Sequence, residues 1–152
     1  MAQIKIGEKL PSFSLPDQNG NPREIQEIRS KKNLVLYFYP KDETMVCTRQ
    51  ACAFRDSYEI FKDHDCEVVG VSSDSPESHK QFADHHSLPF VLLSDVKGKV
   101  RKLLGVPRDI FGLLSGRYTY VINKDGKIVH IFNDHFSASK HIKEALNALN
   151  NE

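Results

Sequence analysis

Residues 33–39, NLVLYFY, form an unbroken apolar and aromatic run that ends at Pro40. A strand with one wet face alternates apolar and polar residues. A run without alternation predicts a strand covered on both faces, so something must pack above it and below it. The rest of the chain supplies candidates. From Thr44 onward, Cys47, Ala51, Phe54, Tyr58 and Phe61 recur at steps of three and four, which is one face of a helix. CEVVGVSS (66–73) reads as a second buried strand, and Pro76 opens a helix that runs to about Ser87. FVLLSD (90–95) is a third strand, followed by a short helix near 98–104. RYTYVINKDGKIVHIF (117–132) predicts two strands joined at Lys124-Asp125-Gly126, and a helix from about Ser137 to Leu149 closes the chain. Upstream, SFSLPDQNGNPREIQ (12–26) carries the Asn19-Gly20 signal of a hairpin. The expectation is one α/β domain over residues 1–152. It has a mixed central sheet flanked by helices and an N-terminal β-hairpin extension.

Composition narrows the function classes. A chain of 152 residues with 39% hydrophobic and 27% charged residues suits a soluble globular domain. Its 21 Lys+Arg against 20 Asp+Glu give a formal charge of +1, so no basic field recruits nucleic acid or anionic lipid. No apolar run approaches the roughly 18 residues of a spanning helix. The opening MAQIKIGEKLPSF lacks a signal peptide's apolar core. Three cysteines are too few, and odd in number, for a secreted disulfide framework. The expected setting is the cytoplasm, or a plastid if an upstream transit segment was removed.

Two of those cysteines lie in PKDETMVCTRQAC (40–52), just past the apolar run. Thr44 is the expected N-cap, its hydroxyl taking the backbone N–H of Cys47. Cys47 then sits in the first helical turn, where the helix dipole and unpaired N–H groups favour a thiolate. Cys52 falls about one and a half turns further on. On an ideal helix the two Cα atoms would be roughly 8–9 Å apart, on faces differing by about 140°. A disulfide needs them within about 7 Å. Either the pair never bonds, or bonding requires the first turns to unwind. The bland reading is two small buried hydrophobes. A zinc site of Cys47, Cys52, His64 and Cys66 is disfavoured because a C-x4-C spacing on a helix splays its first two ligands.

At these residues the chain resembles the peroxiredoxins. Pro40-xxx-Thr44-xx-Cys47 looks like their active-site signature, and C-x4-C marks the peroxiredoxin Q (bacterioferritin comigratory protein) branch. LPSFSLPDQNG (10–20), LYFYPKDET (36–44), ACAFRDSYEIF (51–61), LPFVLLSD (88–95) and RYTYVINKDGKIV (117–129) are similar to that branch too. GVPRDIFGLLSGRYTY resembles its plant and cyanobacterial form. Met45-Val46 departs from the pattern, standing where this branch usually has Pro-Gly.

The resemblance implies a thioredoxin-like fold and a thiol-dependent peroxidase without cofactor or metal. Cys47 would be the peroxidatic cysteine and Cys52 the resolving one, forming an intramolecular disulfide that a thioredoxin-type dithiol reduces. The branch is commonly monomeric, and a monomer is expected here. The substrates would be hydrogen peroxide and organic hydroperoxides. Dropping a thiol's pKa from about 8.5 to about 6 raises the thiolate fraction at pH 7 only some 30-fold. Enzymes commonly need a millionfold or more. Other groups must therefore hold the peroxide and stabilise charge on the leaving oxygen. Thr44 can supply a hydroxyl, Cys47 its own N–H and Pro40 a wall against water. The family pattern puts the guanidinium at Arg117, in competition with Arg49, Arg55, Arg101 and Arg108.

Bland readings cover the remaining candidates. Cys66 is expected in the core, as are Tyr37, Phe38 and Tyr39, with one ring free to face the pocket. Asp42 and Glu43 are expected to be helix N-terminal charges. The seven histidines, including His85-His86, are expected on solvated polar faces without spaced partners. A thiol-disulfide exchange protein acting on protein substrates is the rival function, and a non-catalytic metal or chaperone-like binding protein is a more distant one.

Overall fold

The computed structural model describes residues 3–108, 116–134 and 137–150. The chain starts with a hairpin of β1 (Ser14–Pro16) and β2 (Pro22–Glu24), paired antiparallel across the Asn19-Gly20 turn. Asp17 closes that turn, one carboxylate oxygen accepting the N–H groups of Asn19 and Asn21 at 2.9 and 3.0 Å. A short helix follows, α1 (Ile25–Arg29), starting just past the hairpin. Its five residues give no periodic signal. It exists because Glu24 caps the N–H groups of Gln26 and Glu27 and because Ile25 and Ile28 are buried.

The 33–39 run provides β3 (Asn33–Phe38), all six residues buried. Next come α2 (Met45–Asp56) and α3 (Tyr58–Asp63). The helix expected over this stretch is two helices, broken at Ser57 (φ −101°, ψ 4°). Strands β4 (Cys66–Ser72) and β5 (Val91–Ser94) alternate with α4 (Pro76–His86) and α5 (Lys99–Leu104). The chain then runs through β6 (Tyr118–Ile122), β7 (Ile128–Asn133) and α6 (Ala138–Asn150). Residues 109–115, within the GVPRDIFGLLSGRYTY stretch, and His135 lie outside the described residues.

The five long strands form one sheet in the order β5-β4-β3-β6-β7. β3, β4 and β5 run parallel, while β6 and β7 are antiparallel. The sheet is mixed, as the sequence predicts. Side chains on β3 alternate between two cores. Val35 and Tyr37, with Tyr39 just beyond the strand, pack with Cys47, Ala51 and Phe54 of α2, Phe82 of α4 and Ile142 of α6. Leu34, Leu36 and Phe38 pack with the N-terminal segment, α1 and α5. An unbroken apolar run is what two such cores require of a central strand. Tyr37 stacks on Phe54 at 4.7 Å and passes over Gly70 of β4, where a Cβ would come within 2.8 Å of its ring. Only glycine leaves room for that ring.

The register of β3 against β6 brings two distant segments together. Phe38 pairs with Tyr118, so the exit of β3 towards α2 lies beside the entry to β6.

Candidate active site

Two segments meet at that end of the strands: the β3–α2 loop with the first turn of α2, and the residues just before β6. Cys47 is in the first turn of α2 with 1% exposure. Arg117, 70 residues later and 4% exposed, donates from Nη2 to the Cys47 sulfur at 3.2 Å. Its Nη1 donates to Gln50 Oε1 at 2.6 Å. The guanidinium fork thus bridges the thiol and a side chain one helical turn further along α2. A fixed cation beside a cysteine at a helix start favours negative charge there, since the first-turn amides have no intrahelical carbonyl to bond. Gln50 is fully buried, and among the described residues its Nε2 has no hydrogen-bond partner.

Thr44 is the N-cap by backbone geometry (φ −79°, ψ 155°), and its carbonyl accepts the N–H of Thr48 at 2.8 Å. The expected side-chain cap is not made. The exposed hydroxyl donates to the Lys41 carbonyl at 2.9 Å, because the loop turns back on itself before the helix begins. Pro40 is half-buried just past β3. Met45, the first residue of α2, is 69% exposed and points its bulk to solvent. Cys52 is half-buried further along α2, outside the core cluster that holds Cys47. All three cysteines are free thiols. Cys66 is 2% exposed, and burial pushes its thiol up to about 12. It is chemically quiet near neutral pH.

Asp42, expected only as a charge near the helix N-terminus, has a further role. It is 5% exposed and anchors the loop. Its Oδ2 faces His79 Nδ1 at 2.7 Å and accepts the Ser78 hydroxyl at 2.8 Å, while Oδ1 accepts the Tyr39 hydroxyl at 2.5 Å. The Asp42 N–H donates to Asp74 Oδ2 at 2.8 Å. His79 Nε2 donates to the Leu93 carbonyl at 3.1 Å. These contacts tie the loop ahead of Cys47 to β4, α4 and β5. Losing one of these buried hydrogen bonds leaves a polar group unsatisfied, at a cost of about 1–3 kcal/mol, so the network favours one position of the loop.

The expectation of solvated histidines fails for His79 and His141, both 0% exposed. His141 faces Thr119 Oγ1 at 2.7 Å and the Asp134 carbonyl at 2.8 Å. Partners expected to be missing also exist for His85 and His86, which flank Glu43, and for His130, which faces Glu144. Each partner lies well away in sequence, so spacing gave no sign of it. Gln50 had a usable signal, being one turn from Cys47 on the same helix face.

Residues 6–131 match the AhpC/TSA family. The chain is 53% identical over 148 residues to a chloroplastic peroxiredoxin Q of Sedum lineare, covering 97% of this chain and 79% of that one. Among solved structures, peroxidoxin BcpB from Mycobacterium tuberculosis superposes with a TM-score of 0.90 at 36% identity, covering 98% of both chains. A bacterioferritin comigratory protein of Xanthomonas campestris, described for its alkyl peroxide reduction activity, superposes with a TM-score of 0.81 at 25% identity. That likeness covers 91% of this chain and 90% of the other.

Proposed function

The chain belongs to the AhpC/TSA family and is a peroxiredoxin, a thiol-dependent peroxidase, and from that premise we propose which residues carry the chemistry. Cys47 is the peroxidatic residue. Its thiolate attacks one peroxide oxygen in line; the S–O bond forms as the O–O bond breaks, and sulfur loses two electrons. Hydroxide or alkoxide leaves and takes a proton, and Cys47 becomes a sulfenic acid. Cys52 then attacks that sulfur, forming an S–S bond and releasing water. A thioredoxin-type dithiol restores both thiols by exchange and leaves as its own disulfide. The net reaction turns hydroperoxide and dithiol into alcohol, water and disulfide.

The observation that carries this reading is the 3.2 Å approach of Arg117 Nη2 to the Cys47 sulfur at the start of α2. The guanidinium sits where charge develops on the reacting oxygens, and Gln50 keeps it oriented. Thr44 and Pro40 bound the peroxide on the loop side. The alkyl peroxide reduction described for the Xanthomonas neighbour supports including organic hydroperoxides among the substrates. The enzyme works as a monomer, since its resolving thiol lies in the same chain. It needs a compartment that supplies a dithiol, either cytoplasm or plastid, and the chloroplastic description of the Sedum relative supports the latter. Thiol-disulfide exchange on protein substrates is not favoured.

Stopped-flow mixing of the fully reduced protein with hydrogen peroxide, without any reductant, separates the two readings. The expected result is rapid loss of one equivalent of peroxide, with two thiols lost per chain. Slow consumption, together with fast exchange with a protein disulfide, would transfer the function to the exchange reading.

A further inference from the structure

Glu43 precedes Thr44 on the loop that leads into α2, with a left-handed backbone (φ 63°). A non-glycine residue holds that conformation only where its surroundings fix it. Here the surroundings are two adjacent histidines at the end of α4. His85 Nδ1 lies 3.0 Å from Glu43 Oε2, and His86 Nε2 lies 2.9 Å from Oε1. The imidazole rings are 4.4 Å apart, and His86 stands edge-on to Phe82 at 5.3 Å, which limits its rotation. The His86 carbonyl also accepts from Arg55 Nη1 at 2.8 Å, so the end of α4 already holds α2 near its C-terminal end.

Two imidazole nitrogens and a carboxylate oxygen are the donor types a borderline divalent cation prefers. The three donor atoms lie within 4.8 Å of one another. A tetrahedral zinc ion with bonds of about 2.0–2.1 Å needs donors about 3.4 Å apart, so small side-chain movements suffice. Among the described residues, the other His-carboxylate group of this kind joins buried Asp42 and His79 with half-buried Asp74, and it is already committed to the hydrogen bonds that anchor the loop. Glu43 and His85 are open to solvent, with side chains 45% and 68% exposed, so an ion can enter and water can complete its coordination.

We propose that Glu43, His85 and His86 bind a zinc-class divalent cation, and that the bound ion staples the loop before α2 to the end of α4. The consequence rests on the reading that the start of α2 unwinds between the peroxide step and disulfide formation. Glu43 lies at the hinge of that segment. An ion joining it to α4 adds a cross-link that unwinding must strain or break, so zinc slows resolution by Cys52 and prolongs the sulfenic acid.

The test has two arms. Zinc chloride is titrated calorimetrically into full-length Cys47→Ser protein, which lacks the competing reactive thiolate. The same titration is run on that protein carrying His85→Ala and His86→Ala. One equivalent is expected to bind, with affinity weakened more than about 10-fold by the double substitution. Cobalt(II) at the site should show no thiolate charge-transfer absorption. Equal affinities, or a thiolate band, would overturn the site. In the second arm, the rate of disulfide formation after a peroxide pulse is followed with and without zinc, in the otherwise wild-type chain and in His85→Ala/His86→Ala. Zinc should slow it only where the histidines are present, and equal slowing in both would overturn the staple. Absence of any disulfide in zinc-free protein would sink the resolving role of Cys52 and the staple with it, while the titration alone still decides the site.

Discussion

Cys47→Ser is expected to abolish peroxide turnover, a fall of roughly a millionfold towards the uncatalysed rate, while Cys66→Ser keeps most of the activity. Serine preserves the shape of the first turn of α2 and the reach of Arg117, but its hydroxyl stays protonated near neutral pH. It also offers no polarisable sulfur to accept oxygen from the peroxide bond. Cys66 opens β4 within one of the two cores, and burial there keeps its thiol protonated. Neither access nor charge lets it stand in for Cys47. The measurement is steady-state peroxide consumption coupled to a thioredoxin-type dithiol, with far-UV circular dichroism showing that each variant is folded. Substantial turnover by Cys47→Ser would remove the peroxidatic role from this residue.

Arg117→Ala carries the next largest expected effect, a loss of about 10²–10³ in the single-turnover rate with peroxide. Both ends of the guanidinium are engaged: Nη2 on the Cys47 sulfur at 3.2 Å and Nη1 on Gln50 at 2.6 Å. Removal takes away the cation and leaves the buried Gln50 amide with a further unmet polar atom. Arg117→Lys should also be impaired, because a point ammonium cannot hold both contacts in one plane. A rate matching wild type in Arg117→Ala would reassign the charge-stabilising role to another group.

Legibility in the sequence followed sequence distance. The sheet was readable because its strands are continuous apolar runs, and β3 could be central only by being buried on both faces. The break at Ser57 and the short helix α1 were not, since each depends on a few local capping and burial contacts that leave the apolar period intact or too short to register. Cys47 and Cys52 stood out by their place on one helix. What steadies them did not. Asp42 finds His79 37 positions away, and Glu43 finds His85 and His86 across 42 and 43 positions. A charged residue before a helix reads as a solvated end-charge until the partner strand and helix are in place. The Thr44 hydroxyl departs from the expected cap for a related reason: the loop's own turn offers it the Lys41 carbonyl first.

The proposed chemistry requires Cys47 and Cys52 to bond across a helix that forbids the bond while intact. In the reduced protein both lie within α2 as free thiols. A Cys47–Cys52 link would demand that the helix start opens, a local event at an element's end that need not unfold the sheet. Hydrogen-exchange mass spectrometry, joined to disulfide mapping of the same samples, compares the reduced protein with protein oxidised by one equivalent of peroxide. A Cys47–Cys52 linked peptide is expected, with faster exchange confined to residues around 44–54 and the β3, β4 and β6 amides unchanged. An oxidised protein with no such link, or one whose 44–54 amides exchange as slowly as in the reduced form, would contradict the proposed resolution step.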